Sequence, residues 1–156
     1  MTTEIILWGV LILPWFTLFL LPQSEVRRYM PVAIFASNIM ILYNIFAFHQ
    51  KHWTINISII PVLKPLFVSG VLGGFLIVTI WIFHFSYGNL KKYILVNIVA
   101  DFLFSVFPFH YWFQNILGVY DLVNISKWER WVLFVLFSFV LYLFQKWLEG
   151  NKLKDT

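Results

Sequence analysis

The sequence predicts an all-α, polytopic integral membrane protein: one domain over residues 1–156, built as a bundle of five transmembrane helices. Composition is the first reason. Hydrophobic residues make up 61% of the chain and charged residues 12%, whereas soluble domains carry about 25% charged residues. Run length is the second. The apolar residues come in stretches of about 20, enough to cross ~30 Å of hydrocarbon at about 1.5 Å per residue. Continuity is the third, since the runs do not alternate every second residue as barrel strands do. The absence of cysteine excludes disulfides, a thiolate nucleophile and a Cys-ligated metal.

The first span, 5–21, is short, contains Pro14 and stops at Pro22. The second, 30–48, follows Arg27 and Arg28, and the third, 65–87, opens at Pro65. The fourth, 93–113, follows Lys91 and Lys92, and the fifth, 128–147, runs from Trp128 to Trp147. Trp and Tyr gather near these ends, at Trp53, Tyr87, Tyr93, Tyr111, Trp112 and Trp131, as an interfacial belt. One side carries seven cations, Arg27, Arg28, Lys91, Lys92, Lys146, Lys152 and Lys154, and the other carries four, Lys51, Lys64, Lys127 and Arg130. The richer side is assigned to the cytoplasm, which puts the N-terminus outside and the C-terminus inside. No basic n-region or small-residue cleavage site precedes the first span, so it is expected to be retained.

The connections on the basic side, 23–29 and 88–92, are tight. Those on the other side are longer. Segment 49–64 contains the apolar stretch 57–63, broken by Pro61, which suits the membrane interface. Segment 114–127 contains Gly118 and Asp121 and reads as a lid or re-entrant turn. Asn56-Ile-Ser58 and Asn124-Ile-Ser126 fit the glycosylation sequon, a match that arises easily by chance and carries no meaning in a bacterium.

Polar residues inside the spans are the candidate functional groups. Asp101 stands near the middle of the fourth span, where even the lowest insertion scales charge about 2.5–3.5 kcal/mol for a carboxylate. Asn97, Asp101 and Ser105 recur at i, i+4 and i+8, one helical stripe that should face the bundle interior. Counting about 10 residues inward from the flanking cations places Thr17, Asn38, Asp101 and Ser138 at similar depth. On the third span, Gly70 with Gly74 and Ser69 with Gly73 have the small-xxx-small spacing that lets a neighbouring helix approach.

Two readings of this polar layer stand side by side. In one, Asp101 hydrogen-bonds Asn38 or Ser138 and only ties helices together. In the other, it belongs to a substrate or proton site at the midplane, lined by Asn38, Asn44, His84, Asn97 and Asp101.

The histidines add little. His49 and His52 form an HxxH pair that could share one helix face, but no neighbouring carboxylate or cysteine completes a metal site. His110 follows Asp101 by nine residues and points to the opposite face of the helix. No GxSxG elbow, HExxH or phosphate-binding loop is present, and Asp101 has no second intramembrane carboxylate for aspartyl-protease chemistry. No enzymatic activity and no cofactor is expected.

Arg28-Tyr-Met-Pro-Val-Ala-Ile-Phe35, followed by Ile41-Leu-Tyr-Asn44, resembles the second-span region of an uncharacterised family of small multi-pass membrane proteins from endospore-forming Firmicutes. The shared features are a basic-Tyr-x-Pro entry, an apolar helix and Leu-Tyr-Asn near its far end. The resemblance implies a bacterial plasma-membrane setting and carries no activity or catalytic residue with it.

The functional expectation is a small transport-type or substrate-binding membrane component with a midplane polar site around Asp101. The alternative is a non-catalytic structural, assembly, immunity or sensory membrane protein. The expected partners are the lipid bilayer and a second copy or another membrane protein, since so small a bundle encloses little space. The net charge of +4 sits between the spans and marks topology, not nucleic-acid binding.

Overall fold

Helix α1, Thr2–Thr17, carries Pro14 in its interior and tightens into a 3-10 turn at Leu18–Leu20. Proline has no N–H, so the Val10 carbonyl loses its partner one turn back. The computed structural model describes residues 2–152, and Lys154, counted above with the basic side, lies outside the described residues. Among the described residues, five helices are long and apolar enough to cross a membrane: Thr2–Leu20, Gln23–His49, Ser69–Ser86, Leu90–Ile116 and Lys127–Gly150. Each overlaps one of the five expected spans, with ends that differ by up to seven residues, the largest at the start of the second.

Helix α2, Gln23–His49, starts directly after Pro22 and continues through Pro31. Helix α3 has two parts, a π-helical segment Ser69–Phe75 and an α-helical segment Leu76–Ser86. The Ser37 hydroxyl of α2 donates to the Val71 carbonyl at 3.2 Å, tying α2 to that π-helical segment. Helix α4, Leu90–Ser105, is capped by Asn89, whose side chain accepts from the Lys92 N–H at 3.1 Å. Such a cap contributes about 1 kcal/mol. Helix α6, Lys127–Lys152, opens on a capping box: Ser126 N–H donates to Glu129 at 2.7 Å and Glu129 N–H donates to Ser126 Oγ at 3.1 Å.

The fourth span is not one helix. α4 ends at Ser105, and the chain resumes as a short turn α5, Phe109–Tyr111, continued by π-helix Trp112–Ile116. Pro108 explains the break, because it supplies no N–H and disfavours helical geometry at Phe107. The Phe107–Pro108 peptide is cis.

The two longer connections do not lie apart as an interfacial stretch and a lid. Strands β1, Trp53–Ile55, and β2, Tyr120–Leu122, pair antiparallel with Trp53 opposite Leu122 and Ile55 opposite Tyr120. The Asn56 side chain donates to Asp121 at 2.7 Å and extends this cap. Strands this short leave no periodicity to read, and their partners are more than sixty residues apart.

α1 packs chiefly on the π-helical segment of α3, α2 on α3, and α4 on α6. The core falls into two clusters. One lies toward the basic end around Tyr29, Ile80, Phe83 and Tyr93, and the other lies under the hairpin around Tyr43, Trp53, Phe67 and Phe134. At the basic end Glu149 accepts from Arg28 Nε at 2.6 Å, Tyr87 OH at 2.9 Å and Gln145 Nε2 at 3.1 Å, fastening α2 and the end of α3 to α6.

Gly73 decides how α1 meets α3. A Cβ there would run into the Val10 carbonyl oxygen and come within 2.6 Å of Leu11 Cα. That carbonyl is the one freed by Pro14, so the glycine backbone sits where α1 has a bare acceptor. Gly74 has nothing within 4 Å and Gly70 faces only the Phe67 ring. Of the two expected small-residue pairs, Ser69 with Gly73 is the one that includes the residue α1 meets, Gly73, and both of its members are buried.

Candidate functional site

The expected stripe on α4 is real: the buried residues of that helix are Tyr93, Asn97, Asp101 and Ser105. Because α1 leans chiefly on α3, a cavity of about 1010 Å³ is left between α1, α3, α4 and α6, open to the surface where Ile5, Leu13 and Val78 are exposed. Its size sits at the upper end of ligand pockets, about 300–1,000 Å³. The walls are overwhelmingly apolar. Thr17, Thr79, Asn97, Asp101 and Ser138 supply the polar side chains.

Four of these five are satisfied within their own helices. Thr17 donates to the Pro14 carbonyl at 2.6 Å and Thr79 to the Phe75 carbonyl at 2.8 Å. Asn97 donates to the Tyr93 carbonyl at 2.9 Å and Ser138 to the Val135 carbonyl at 2.7 Å. Thr17 also accepts from Trp81 Nε1 at 3.0 Å. Asp101 differs. It is 9% exposed, and its Oδ2 has no hydrogen-bond partner among the described residues. A buried oxygen without a partner costs about 1–3 kcal/mol, more if charged, so Asp101 is the least satisfied of the five.

The contacts that join α4 to α6 are made by other residues. Tyr93 OH donates to the Ser138 carbonyl at 2.9 Å, Trp131 Nε1 to the Ile98 carbonyl at 3.0 Å and Arg130 Nη2 to the Ser105 carbonyl at 2.8 Å. Asp101 is in none of them.

The remaining expected site residues do not gather at Asp101. Asn38 is exposed and donates to the Ile34 carbonyl of its own helix at 3.0 Å. His84 lies at 3.4 Å from Glu25 Oε2, near the basic end. Asn44 donates to the Met40 carbonyl at 2.7 Å and accepts from the Phe67 N–H at 3.3 Å, under the hairpin. Depth counted along a helix does not give rotation about it, and Asn38 faces outward. His49 is exposed, while His52 Nδ1 lies 3.2 Å from Tyr43 OH, so the HxxH pair is split. Among the described residues no three metal-ligating side chains converge.

A second, smaller chamber of about 40 Å³ lies under the hairpin, with Asn44, Trp53, Tyr120 and Arg130 in its lining. Arg130, counted from sequence as a loop-side cation, is only 3% exposed. Its Nη1 donates to Tyr120 OH at 3.1 Å, and the Tyr120 hydroxyl lies 3.1 Å from His110 Nδ1. The Arg130 guanidinium also lies 5.3 Å from the Tyr120 ring centroid and 5.8 Å from that of Phe104. Burial pushes the Tyr120 phenol above its ordinary pKa of 10.0, with the neighbouring Arg130 charge working against that shift. The sequence does hold a signal for Arg130. It opens the series Arg130, Phe134, Ser138, Leu141 and Gln145, whose three- and four-residue spacing traces one buried face of α6.

No family model matches this chain, and the comparisons with curated proteins and with solved structures found no match.

Proposed function

We propose that the chain is a small integral membrane protein of transport or substrate-binding type, whose cavity holds an amphiphile with its hydrogen-bond-donating head at Asp101. The observation that carries this reading is Asp101, a buried carboxyl side chain with one oxygen unpartnered among the described residues, which lines an apolar cavity of about 1010 Å³. An alkyl chain suits the walls, and a hydroxyl or ammonium head suits Asp101. The tying role is disfavoured because Tyr93, Trp131 and Arg130 already join α4 to α6.

The membrane setting we propose has the Arg27–Arg28 end in the cytoplasm and the hairpin outside, as the cation excess of seven against four favours. A Lys154→Cys variant adds the chain's only thiol and should resist an impermeant thiol reagent in intact cells. Labelling there would reverse the orientation.

Thermal unfolding of the purified protein with decanol, decylamine or decane tests the binding reading. Decanol or decylamine should stabilise the wild type, by about 2.7 kcal/mol at a concentration near 100 Kd. The Asp101→Asn variant should bind at least about tenfold more weakly, the equivalent of 1.4 kcal/mol. Equal stabilisation of both proteins, or decane matching the polar amphiphiles, would remove Asp101 from the site.

A further inference from the structure

The chamber under the hairpin poses a problem of charge. Arg130 is a permanent cation, 3% exposed, and among the described residues no carboxylate lies within ion-pairing distance of it. Its Nε–H has no hydrogen-bond partner. The Tyr120 hydroxyl and the Ser105 carbonyl each take one Nη hydrogen, and neither carries a compensating negative charge. Ser105 itself is fully buried, and its Oγ is also without a partner. Buried charges are ordinarily paired, and leaving one unpaired is strongly destabilising.

We infer that the chamber is a binding site for one small monovalent carboxylate, held by Arg130. Charge sets the class. One monovalent anion balances the single buried cation, whereas a sulfate or phosphate dianion would leave an uncompensated charge among apolar walls. Geometry agrees, because a guanidinium offers parallel N–H donors that a carboxylate accepts in pairs. Buried Trp53 and Phe134 flank the site, and apolar neighbours strengthen the pairing.

Two sources carry this chemistry: a free small acid, and the acid end of an alkyl chain. The chamber and the large cavity share Phe67, Gly70, Phe75, Phe104 and Phe134 in their walls, so a chain held at Arg130 has apolar space beside it. This site is separate from Asp101, which does not line the chamber.

The test is thermal unfolding of the detergent-purified full chain in chloride-free sulfate buffer, titrated with sodium acetate or sodium decanoate. Acetate should stabilise the wild type and the Asp101→Asn variant saturably, and the Arg130→Gln variant should need at least about tenfold more. Decanoate binding much more tightly than acetate assigns the site to an alkyl acid, and equal binding assigns it to a free small acid; both support the inference. No stabilisation by either salt, or the same response in Arg130→Gln, overturns it. Should Arg130→Gln fail to fold, the wild type decides alone. The chain has three arginines, Arg27, Arg28 and Arg130, so three Nε–H resonances are expected in a nitrogen-15 spectrum. Acetate should move the Arg130 signal and leave the other two in place, and an unmoved Arg130 signal refutes the site.

Discussion

Replacing Gly73 by alanine adds one methyl group at the point where α1 crosses α3. The new Cβ would meet two backbone atoms of α1, the Val10 carbonyl oxygen and, at 2.6 Å, Leu11 Cα. Neither can rotate aside as a side-chain tip would. To restore an ordinary contact of 3.4 Å, α1 must retreat by about 0.8 Å along that line. Overpacking of this kind costs about 1–3 kcal/mol. Alanine also recovers about 0.5–1 kcal/mol by removing the glycine's backbone freedom from the helix interior.

Gly74→Ala isolates the packing contribution. It carries the same backbone gain, lies in the same π-helical segment, and its Cβ would meet nothing within 4 Å. The gap between the two variants is therefore the clash alone, about 1–3 kcal/mol. Reversible unfolding of both in the same micelles measures it. Gly74→Ala should be neutral or slightly stabilised, and Gly73→Ala clearly less stable than its neighbour. If the two unfold within about 0.5 kcal/mol of each other, the range of an ordinary surface change, α1 does not pack on Gly73. Since α1 forms one wall of the large cavity, the same result would unseat the cavity as drawn.

Glu149→Ala removes the acceptor shared by Arg28, Tyr87 and Gln145. Because the Arg28 side chain is 43% exposed, solvent screens part of the loss, and thermal unfolding should show a cost of about 1–2 kcal/mol. Alkaline titration should place Tyr120 among the late-titrating tyrosines. Burial raises its folded-state pKa above 10.0, so its contribution to stability is fully present below that pH and is lost as pH climbs through the raised value. Tyrosinate absorbance of Tyr120→Phe should lose one tyrosine's amplitude from the late part of the curve, and a loss near pH 10 instead would place Tyr120 in water.

The all-α class, the five helices apolar enough to cross a membrane and the polar stripe on α4 follow from the sequence alone. Each rests on local physics: run length against membrane thickness, and a 3.6-residue period that aligns Asn97, Asp101 and Ser105. What neighbours those residues meet is another matter. Rotation of α2 about its axis turned Asn38 outward, and the lean of α1 onto Gly73, not Gly70 or Gly74, opened the cavity beside Asp101. Pairing of two three-residue strands distant in the chain roofed the small chamber. Arg130 was legible as a cation, and its burial only through the spacing it shares with Phe134, Ser138, Leu141 and Gln145, because Asn44 and Trp53, which line the same chamber, are remote in sequence. Local periodicity tells a residue which face it shares; only the packing of helices against each other decides whether that face meets lipid, a neighbour or an empty space.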